Sequence, residues 1–468
     1  MSITEDPGDV VVREGTYGDK VVAVEPGGAE FIPLAERHGR PRQLFWTWVS
    51  PNLEFATIFV GVLAVSAFSL SFWGAVVGIV VGTALGSLTH GLLSSRGPAA
   101  GVPMMVLSRL GFGYLGNALP AGLNAVVGGI GWFAVNSVSG ALALATLTGM
   151  PAWLGLLIVA ALQILIATLG HNLIHNFEKV VLPVLAVVFA ITSVVILTQV
   201  DPSFTPTDGQ PNGSLAGFLL TVGATFGYAA GWNPYATDYT RYLPANASPR
   251  AVGLAAGLGD FVPCVVLEIV GAASATIASD PNATPTAAFT EHLPGWLAAL
   301  TLLCIAVGAV AANAINIYSG SMSFIALGLR LPLRLRRALA VGVFGVLGFV
   351  LALFGLADAG EAYEGFLLII AYWIGPWLAV VLADWYLRRG TDTEGLLFDV
   401  RHVNVAGPVS MLLGIVVSVV LFSNQQFFTG IVPSLVPQVG DIAFEVGFLV
   451  TGATYLLWRG RSRSATLT

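Results

Sequence analysis

Four side chains in two apolar stretches have a spacing that could recognise a flat, uncharged molecule. Trp132 and Asn136 lie four residues apart, and Asn313 and Asn316 three apart, so each pair falls on one helical face. A carboxamide donates and accepts hydrogen bonds side by side, and an indole stacks on a planar ring. The two pairs predict a pocket for a planar heterocycle, the alternative being that the asparagines only link neighbouring helices.

Two further apolar stretches, residues 48–52 and 231–235, each combine a proline with a tryptophan and an asparagine. Proline removes a backbone donor and disturbs the preceding turn, and free backbone groups at membrane depth are tolerated beside a cavity or a protein neighbour. We predict that both helices are interrupted and that Ser50, Asn52 and Trp232 line the same pocket. The alternative is that the prolines only kink two packed helices.

These residues must be positioned by a bilayer-embedded scaffold, since the 468 residues are 56% hydrophobic and 10% charged, with a mean hydropathy of +0.81. Apolar stretches long enough to span a bilayer recur along the chain. The prediction is an all-α, polytopic protein of 12 transmembrane helices. The predicted spans are residues 45–66, 72–94, 118–147, 152–170, 179–199, 215–236, 251–278, 296–328, 338–356, 364–387, 405–423 and 442–458.

Basic residues give the orientation, because lysine and arginine are retained on the cytoplasmic side. With both termini cytoplasmic, all 20 of them fall on that side. This predicts a multi-pass protein of the cell (inner or plasma) membrane, with the lipid bilayer as its partner. The net charge of -6 averages two unlike faces and gives no sign of a nucleic-acid partner. The oligomeric state is left open.

Corresponding features indicate an internal repeat. Pro51 and Pro234 are 183 residues apart, and Asn136 and Asn313 are 177 apart. We predict a cytoplasmic tail over 1–44, a first repeat over 45–200, a second over 201–390, and a cytoplasmic loop, two helices and a tail over 391–468. Glycines at helical spacing, such as residues 78, 82 and 86, predict close helix packing rather than cofactor binding.

Several stretches, in this order and spacing, carry a family resemblance. They are Gly101-Val102-Pro103-Met104, Ser108-Arg109-Leu110-Gly111-Phe112-Gly113, Gly131-Trp132-Phe133-Ala134-Val135-Asn136, Ala229-Ala230-Gly231-Trp232, Thr237-Asp238-Tyr239-Thr240-Arg241-Tyr242 and residues 311–319. The chain resembles the nucleobase:cation symporter-1 family, particularly its purine and cytosine permease branch.

The resemblance implies a LeuT-like fold of five plus five inverted helices with two C-terminal helices, and alternating access to a nucleobase site. The base would stack on Trp132 and on an aromatic residue of span 6, while Asn136, Asn313 and Asn316 read its edge. For the span 6 aromatic, Phe226, Tyr228 and Trp232 all stay open.

The coupling cation follows from a departure from the family pattern. Its sodium-dependent branches use two hydroxyl side chains in span 8, but residues 302–312 contain no Ser or Thr, and Val307 and Gly308 stand at those positions. We therefore expect proton rather than sodium coupling. A proton carrier needs a carboxyl at membrane depth, where Glu54 is the first choice and Glu268 the second.

Competing interpretations concern cargo and class. A cargo of similar shape, such as allantoin, a hydantoin, uracil or a thiamine-type pyrimidine, fits the same residues, and a sensor or channel is the non-transport alternative. An enzyme would need clustered metal ligands or a nucleophile with its base, and the sequence predicts neither these nor a cofactor.

Overall fold

The computed structural model describes residues 29–168, 171–206, 213–280, 283–328, 333–391 and 393–465. The regular elements among these residues are all helices, with no β-strand and two isolated bridges, Gly113 with Val403 and Asn424 with Thr429. The all-α class is therefore confirmed for the described part of the chain. Residues 1–28 of the predicted N-terminal tail and residues 466–468 of the predicted C-terminal tail lie outside it.

The described helices of the first part of the chain include both long spans and short turns. In order they are α1 (Gln43–Asn52), α2 (Phe55–Ser66), α3 (Phe72–Ser94), α4 (Gly97–Ala100), α5 (Met104–Leu107), α6 (Arg109–Phe112), α7 (Ala118–Val126), α8 (Trp132–Thr148), α9 (Ala152–Thr168) and α10 (His171–Leu197). A π-helical turn, Val127–Gly131, joins α7 to α8.

The second part of the chain follows the same pattern. Its described helices are α11 (Gly213–Ala230), α12 (Ala236–Thr240), α13 (Pro249–Ala275), α14 (Pro285–Thr290), α15 (Gly295–Ala326), α16 (Leu333–Gly355), α17 (Ala359–Leu387), α18 (Ala406–Phe422), α19 (Ile431–Leu435) and α20 (Ala443–Ala465). Four 3₁₀ segments complete the described elements, namely Leu34–Glu36, Asn233–Tyr235, Glu394–Leu396 and Pro437–Val439.

Six helical segments of the described residues are long and apolar enough to cross a bilayer: Phe72–Ala100, Ala118–Thr148, Leu215–Thr240, Pro249–Ala275, Gly295–Asn313 and Ala359–Leu387. The bent pair α1 and α2 adds a seventh if it forms one span. Four shorter apolar helices are Ala152–Ile166, Val181–Leu197, Gly342–Gly355 and Ala406–Phe422. Within the described residues, which exclude 169–170 of the fourth predicted span, each predicted span coincides with a helix or helix pair, whereas the count of 12 spans and the inverted repeat remain predictions.

Local chemistry sets several helix ends. The Ser248 hydroxyl accepts from the Ala251 N–H at 3.4 Å where α13 begins, and the Asp358 carboxylate accepts from the Glu361 N–H at 3.0 Å where α17 begins. Gly149, with φ of +74°, ends α8 in the left-handed conformation that glycine adopts without steric cost. These caps satisfy backbone groups that the first and last helical turns leave free.

Close backbone contacts join α3 to α11 and α13. A Cβ atom on Gly82 would lie 2.4 Å from the Val222 carbonyl oxygen, and one on Gly91 would lie 2.6 Å from the Gly253 carbonyl oxygen. Gly86 meets α11 in the same way. The predicted close packing is confirmed at Gly78, Gly82 and Gly86, which all face α11, and α3, α11 and α13 form a tightly joined group in which dispersion replaces the hydrophobic effect.

Around this group, α8 packs against α15, α9 and α16, while α1 and α2 pack against α13. At the other end of the chain, α18 and α20 pack against each other and against α17. The Tyr372 hydroxyl donates to Asp441, which also accepts from the Asn424 N–H at 2.7 Å. These hydrogen bonds tie the C-terminal helices to α17.

Candidate functional site

The first predicted interruption lies between α1 and α2, whose axes differ by 62°. Pro51 occupies the last turn of α1, and α2 does not begin until Phe55. Leu53 and Glu54 therefore lie between the two helices. Ser50 is buried at this end of α1, and its carbonyl accepts from the Leu53 N–H at 3.3 Å.

The second predicted interruption follows α11, which ends at Ala230. Gly231 and Trp232 form a turn, and a 3₁₀ segment containing Pro234 leads into α12. Proline cannot donate to the preceding turn, which accounts for the loss of α-helical winding here. The first set of Trp, Pro and Asn thus lies in the last turns of α1, directly before the break, and the second set lies in the turn and the 3₁₀ segment that follow α11.

The three predicted asparagines lie together, in what we term the amide cluster: Asn136, Gln163, Asn313 and Asn316. Asn136 Nδ2 donates to Asn313 Oδ1 at 3.0 Å, and Asn316 Nδ2 approaches the same oxygen at 3.4 Å. Asn313 Nδ2 donates to Gln163 Oε1 at 2.7 Å and to the Phe133 carbonyl at 3.0 Å. The cluster joins α8, α9 and α15 in a fully buried position.

The backbone fixes the polarity of this cluster. A carbonyl oxygen only accepts, so Asn313 must turn its NH₂ toward Phe133 and its oxygen toward Asn136 and Asn316. Asn136 and Asn316 then each donate one N–H to the Asn313 oxygen. The Oδ1 atoms of Asn136 and Asn316 consequently point elsewhere, and neither has a hydrogen-bond partner among the described side chains. Two buried acceptors are left for donors outside the cluster.

Trp132 lies one turn before Asn136 and is enclosed by aromatic rings. Its ring meets Tyr228 at 5.4 Å and Phe366 at 5.1 Å, both edge to face, and Tyr363 at 6.4 Å. Gly231, at the turn after α11, also lies against the indole, since a Cβ there would be 3.4 Å from Trp132 Cζ2. The indole therefore bridges the amide cluster and the second interruption.

The three aromatic candidates of α11 and its following turn have different surroundings. Tyr228 meets Trp132, whereas Phe226 stacks on Phe444 of α20 with ring centroids 4.1 Å apart. Trp232 packs against Trp48 at 5.8 Å. Only Tyr228 of the three makes a ring contact with Trp132 among the described residues, and Phe226 is directed toward the C-terminal helices.

Trp232 and Asn52 belong to a second polar group, which we term the helix-end chain: Trp232, Asn52, Asp260 and Ser87. Trp232 Nε1 donates to Asn52 Oδ1 at 2.9 Å, and Asn52 Nδ2 donates to Asp260 Oδ1 at 3.3 Å. The Ser87 hydroxyl donates to Asp260 Oδ2 at 2.7 Å. The chain connects both interrupted helices to α13 and α3.

Both predicted carboxyl carriers are buried, in different places. Glu54 lies in the first interruption, where Tyr228 Oη is 3.2 Å from Glu54 Oε1, and its side chain does not cap α2. Glu268 lies on α13 and accepts from Thr83 at 2.6 Å, while its Oε1 has no partner among the described residues. No described basic residue forms an ion pair with Glu54, Asp260 or Glu268.

In α15, the helix on which a sodium site would place its hydroxyl side chains, the residue that contacts the first interruption is Gly308. A Cβ on Gly308 would lie 3.1 Å from the Leu53 carbonyl oxygen and 3.7 Å from Glu54 Cα. The described residues 302–312 of α15 include no serine or threonine. This contact therefore supplies the backbone oxygen of Leu53, between α1 and α2, but no side-chain oxygen from α15.

A cavity of about 560 Å³ lies next to the site, between α2, α8, α16 and α17. Tyr363 and Phe366 line it and also contact Trp132, so their rings separate the cavity from the indole. Asp358, Glu361 and Glu364 lie along it as well. The amide cluster does not line this cavity.

Sequence reasoning missed Asp260, Gln163, Tyr363 and Thr57. Asp260 was detectable, because a carboxyl within an apolar span marks a functional candidate by default, and it lies eight residues before Glu268. Gln163 was detectable in the same way as a carboxamide within an apolar span. Tyr363 and Thr57 carry no such signal, because their roles follow only from contacts with Trp132, Tyr228 and Asn52.

Comparison with known proteins identifies relatives over nearly the whole chain. A family profile described as "Permease for cytosine/purines, uracil, thiamine, allantoin" matches residues 31–447. The putative purine-cytosine permease YxlA of Bacillus subtilis is 28% identical over 442 residues, covering 92% of this chain and 95% of its own. The purine-cytosine permease fcyB of Emericella nidulans is 28% identical over 474 residues, covering 95% and 92%.

A solved structure shares the fold. Mhp1, a nucleobase-cation-symport-1 family transporter in a closed conformation with bromovinylhydantoin bound, superposes with a TM-score of 0.72 at 20% identity, covering 95% of this chain and 97% of Mhp1. Its inward-facing conformation superposes with a TM-score of 0.71. At this identity the likeness concerns the fold.

Proposed function

Because this chain belongs to the family of permeases for cytosine/purines, uracil, thiamine and allantoin, and is a transport protein rather than an enzyme, we propose that it imports a nucleobase, cytosine or a purine, by proton symport. Relatives named purine-cytosine permeases motivate this choice of cargo. Alternating access in a multi-pass membrane protein would carry the base from the 560 Å³ cavity to the cytoplasm.

The single observation that carries the proposal is the pair of unpartnered amide oxygens beside Trp132. Cytosine and adenine each present an exocyclic amino group, which only donates, next to ring acceptors. Asn136 Oδ1 and Asn316 Oδ1 would accept from such a group, and an unsatisfied buried acceptor costs about 1–3 kcal/mol. A cargo with donors at its edge would therefore stabilise the site.

Ring stacking would supply the remaining affinity. A base inserted between Trp132 and Tyr228, whose rings are now edge to face, would gain about 1–3 kcal/mol from each aromatic partner regardless of its identity. Tyr228 is thus our choice among the three aromatic candidates. Discrimination between bases would come from the amide cluster.

Hydrogen counting supports a proton as the coupling ion, with Glu54 as its carrier. Three contacts link Asn52 O to Thr57 Oγ1, Thr57 Oγ1 to Tyr228 Oη, and Tyr228 Oη to Glu54 Oε1. The two hydroxyls supply only two hydrogens. A proton on Glu54 would supply the third, and a neutral carboxyl also suits a site without a basic partner.

Two further features bear on the coupling ion. Gly308 contributes no oxygen beside the Leu53 carbonyl, which argues against a hard cation there. Glu268, with only Thr83 as a described partner for its carboxyl, is the second candidate carrier.

The sorting of lysine and arginine supports an inner or plasma membrane location with both termini in the cytoplasm.

Uptake by purified protein in vesicles tests the proposal. We expect labelled cytosine to accumulate when the outside is acidic, equally well with sodium or choline outside. Equilibration without accumulation would indicate a channel, binding without uptake a sensor, and a strict need for sodium would overturn proton coupling.

Competition identifies the cargo. Unlabelled adenine, guanine, hypoxanthine, uracil and allantoin, with a hydantoin and a thiamine-type pyrimidine, would be tested against labelled cytosine. We expect the aminated bases to compete best, because they donate to both free amide oxygens. Displacement by allantoin or uracil alone would assign the site to one of those alternative cargoes.

A further inference from the structure

The helix-end chain has a polarity that its own chemistry fixes. An indole N–H can only donate, so Asn52 must turn its oxygen toward Trp232. The Asn52 NH₂ group must then face Asp260 and the Trp48 carbonyl, to which it donates at 2.8 Å. Asp260 Oδ1 is consequently an obligatory acceptor, and no rearrangement of the Asn52 amide could replace it.

Asp260 lies on α13, in a pair of helices, α3 and α13, that are in close contact. Its second oxygen accepts from Ser87 on α3, and α3 and α13 are in direct backbone contact where Gly91 meets Gly253. On the other side of this connection, Asn52 is the last residue of α1, and Trp232 lies in the turn that follows α11. Asp260 therefore connects the ends of both interrupted helices, where α-helical hydrogen bonding stops, to a continuous helix pair.

We propose that Asp260 is a positioning residue of the cargo site: by accepting from Asn52, it holds Asn52 and Trp232, and with them the turn at Gly231 that supports the Trp132 indole. The inference rests on the proposed function for its effect on transport, because the positioned groups are those of the nucleobase site. Asp260 itself touches no predicted cargo-binding group except Asn52.

The isosteric Asp260→Asn variant separates positioning from proton carriage. An asparagine there can accept from Asn52 with its oxygen and donate to Ser87, whose hydroxyl also accepts. It cannot bind and release a proton. We expect Asp260→Asn to keep the apparent KM for cytosine and its gradient-driven accumulation, whereas Asp260→Ala raises the KM about tenfold, as the loss of one buried acceptor predicts.

Cys264→Ala is the matched control. The Cys264 thiol lies one turn from Asp260 and contacts Asp260 Oδ1 at 3.8 Å, but it does not touch Asn52. Its removal should leave the KM unchanged. Failure of Asp260→Asn to accumulate cytosine while it still binds would assign Asp260 to proton coupling and overturn the positioning role.

A second readout does not need cargo. Hydrogen–deuterium exchange reports local opening, and we expect amide exchange over residues 231–235 to accelerate at least about tenfold in Asp260→Ala. In the same variant, exchange in α18 should match that of the wild type. The Asp260→Asn and Cys264→Ala proteins should match the wild type over residues 231–235. Unchanged exchange over 231–235 would refute the inference. If wild-type protein transports no nucleobase, the proposed function fails while this measurement still decides the role of Asp260.

Trp232→Phe tests the same connection without altering a carboxyl. It keeps an aromatic ring but removes the N–H that Asn52 accepts. We expect it also to accelerate exchange over 231–235, and the double variant with Asp260→Ala to add little, since the two residues act through one amide. If the effects of the two substitutions on exchange were fully additive in the double variant, the proposal would be contradicted. If Asp260→Ala does not fold, Trp232→Phe alone decides, and normal exchange over residues 231–235 in that variant would contradict the proposal.

Discussion

The amide cluster and the helix-end chain are built from similar groups but differ in what they leave unsatisfied. In the helix-end chain, the Asn52 oxygen and NH₂ group and both Asp260 oxygens have partners. In the amide cluster, Asn136 and Asn316 each retain an unpartnered oxygen. A satisfied buried network fixes geometry, whereas each unpaired buried acceptor carries a cost that a donor group of a ligand would remove. The first is therefore suited to hold helix ends, and the second to read a cargo.

The backbone under each group differs in the same sense. The amide cluster stands on helices that continue through it, α8, α9 and α15, so its side chains keep their places by packing. The helix-end chain stands where α1 and α11 stop. Recognition on regular helices and restraint of irregular ends are thus separated in the molecule, which makes the two roles separable by mutation.

Asn313→Ala should have the largest effect. It removes the central amide and leaves Gln163 Oε1 and the NH₂ groups of Asn136 and Asn316 without the partner that Asn313 provides, so cytosine affinity should fall roughly 100-fold or more. Equilibrium binding to detergent-purified protein measures it. Asn124→Ala, which removes a buried amide bonded to Ser323 at 2.7 Å, is the matched control and should bind normally. Equal losses in both variants would reduce Asn313 to an interhelical link.

Glu54→Gln should abolish accumulation but not binding. A glutamine NH₂ permanently supplies a hydrogen to the contact with the Tyr228 hydroxyl, as the protonated carboxyl of Glu54 would, and so mimics the protonated state. Gradient-driven cytosine uptake should therefore stop, while exchange of internal for external cytosine continues. Glu364→Gln, at the cavity, serves as control and should still accumulate cytosine. Normal accumulation by Glu54→Gln would transfer the role to Glu268.

Trp132→Ala should weaken cytosine binding about tenfold, since it removes one stacking partner worth roughly 1–3 kcal/mol. The loss should be similar for every base that the protein binds, because stacking does not read the edge. A loss confined to one base would mean that Trp132 acts through shape rather than stacking. Competition constants for cytosine, adenine and hypoxanthine measure this.

Phe226→Leu should have the smallest effect, because Phe226 packs on Phe444 and not on Trp132. We expect unchanged cytosine affinity and a destabilisation of about 1 kcal/mol, detected as a lower melting temperature in detergent. A reduced affinity without a change in melting temperature would restore Phe226 as a cargo contact.

Sequence reasoning was most effective where a short period determines geometry. The spacing of Asn136 within one helix and of Asn313 within another assigned each to a face, and the structure brings these faces within hydrogen-bond distance. Helical spacing could not choose between Phe226 and Tyr228, which differ by two positions and point to different sides of α11. That choice depends on how α11 is rotated against α8 and α20, which no local pattern encodes.

Contacts between distant parts of the chain were out of reach for the same reason. Asn52 and Asp260 are 208 residues apart, and the sequence gives no sign that they share a hydrogen bond. The interrupted helices were foreseeable, because proline acts on its own turn. The partners that stabilise those interruptions depend on tertiary packing, so Asp260 was overlooked although its type and depth should have marked it.

The glycine contacts of α3 limit how this protein can change shape. Where Gly91 brings the main chain of α3 against that of α13 at Gly253, no side chain lies between the two helices to switch rotamer and take up a displacement. We expect α3, α11 and α13 to move together as one rigid body when the protein changes conformation. Sliding should concentrate along seams filled by longer side chains, such as the one between α8 and α16, where Gly348 lies against the Phe133 ring.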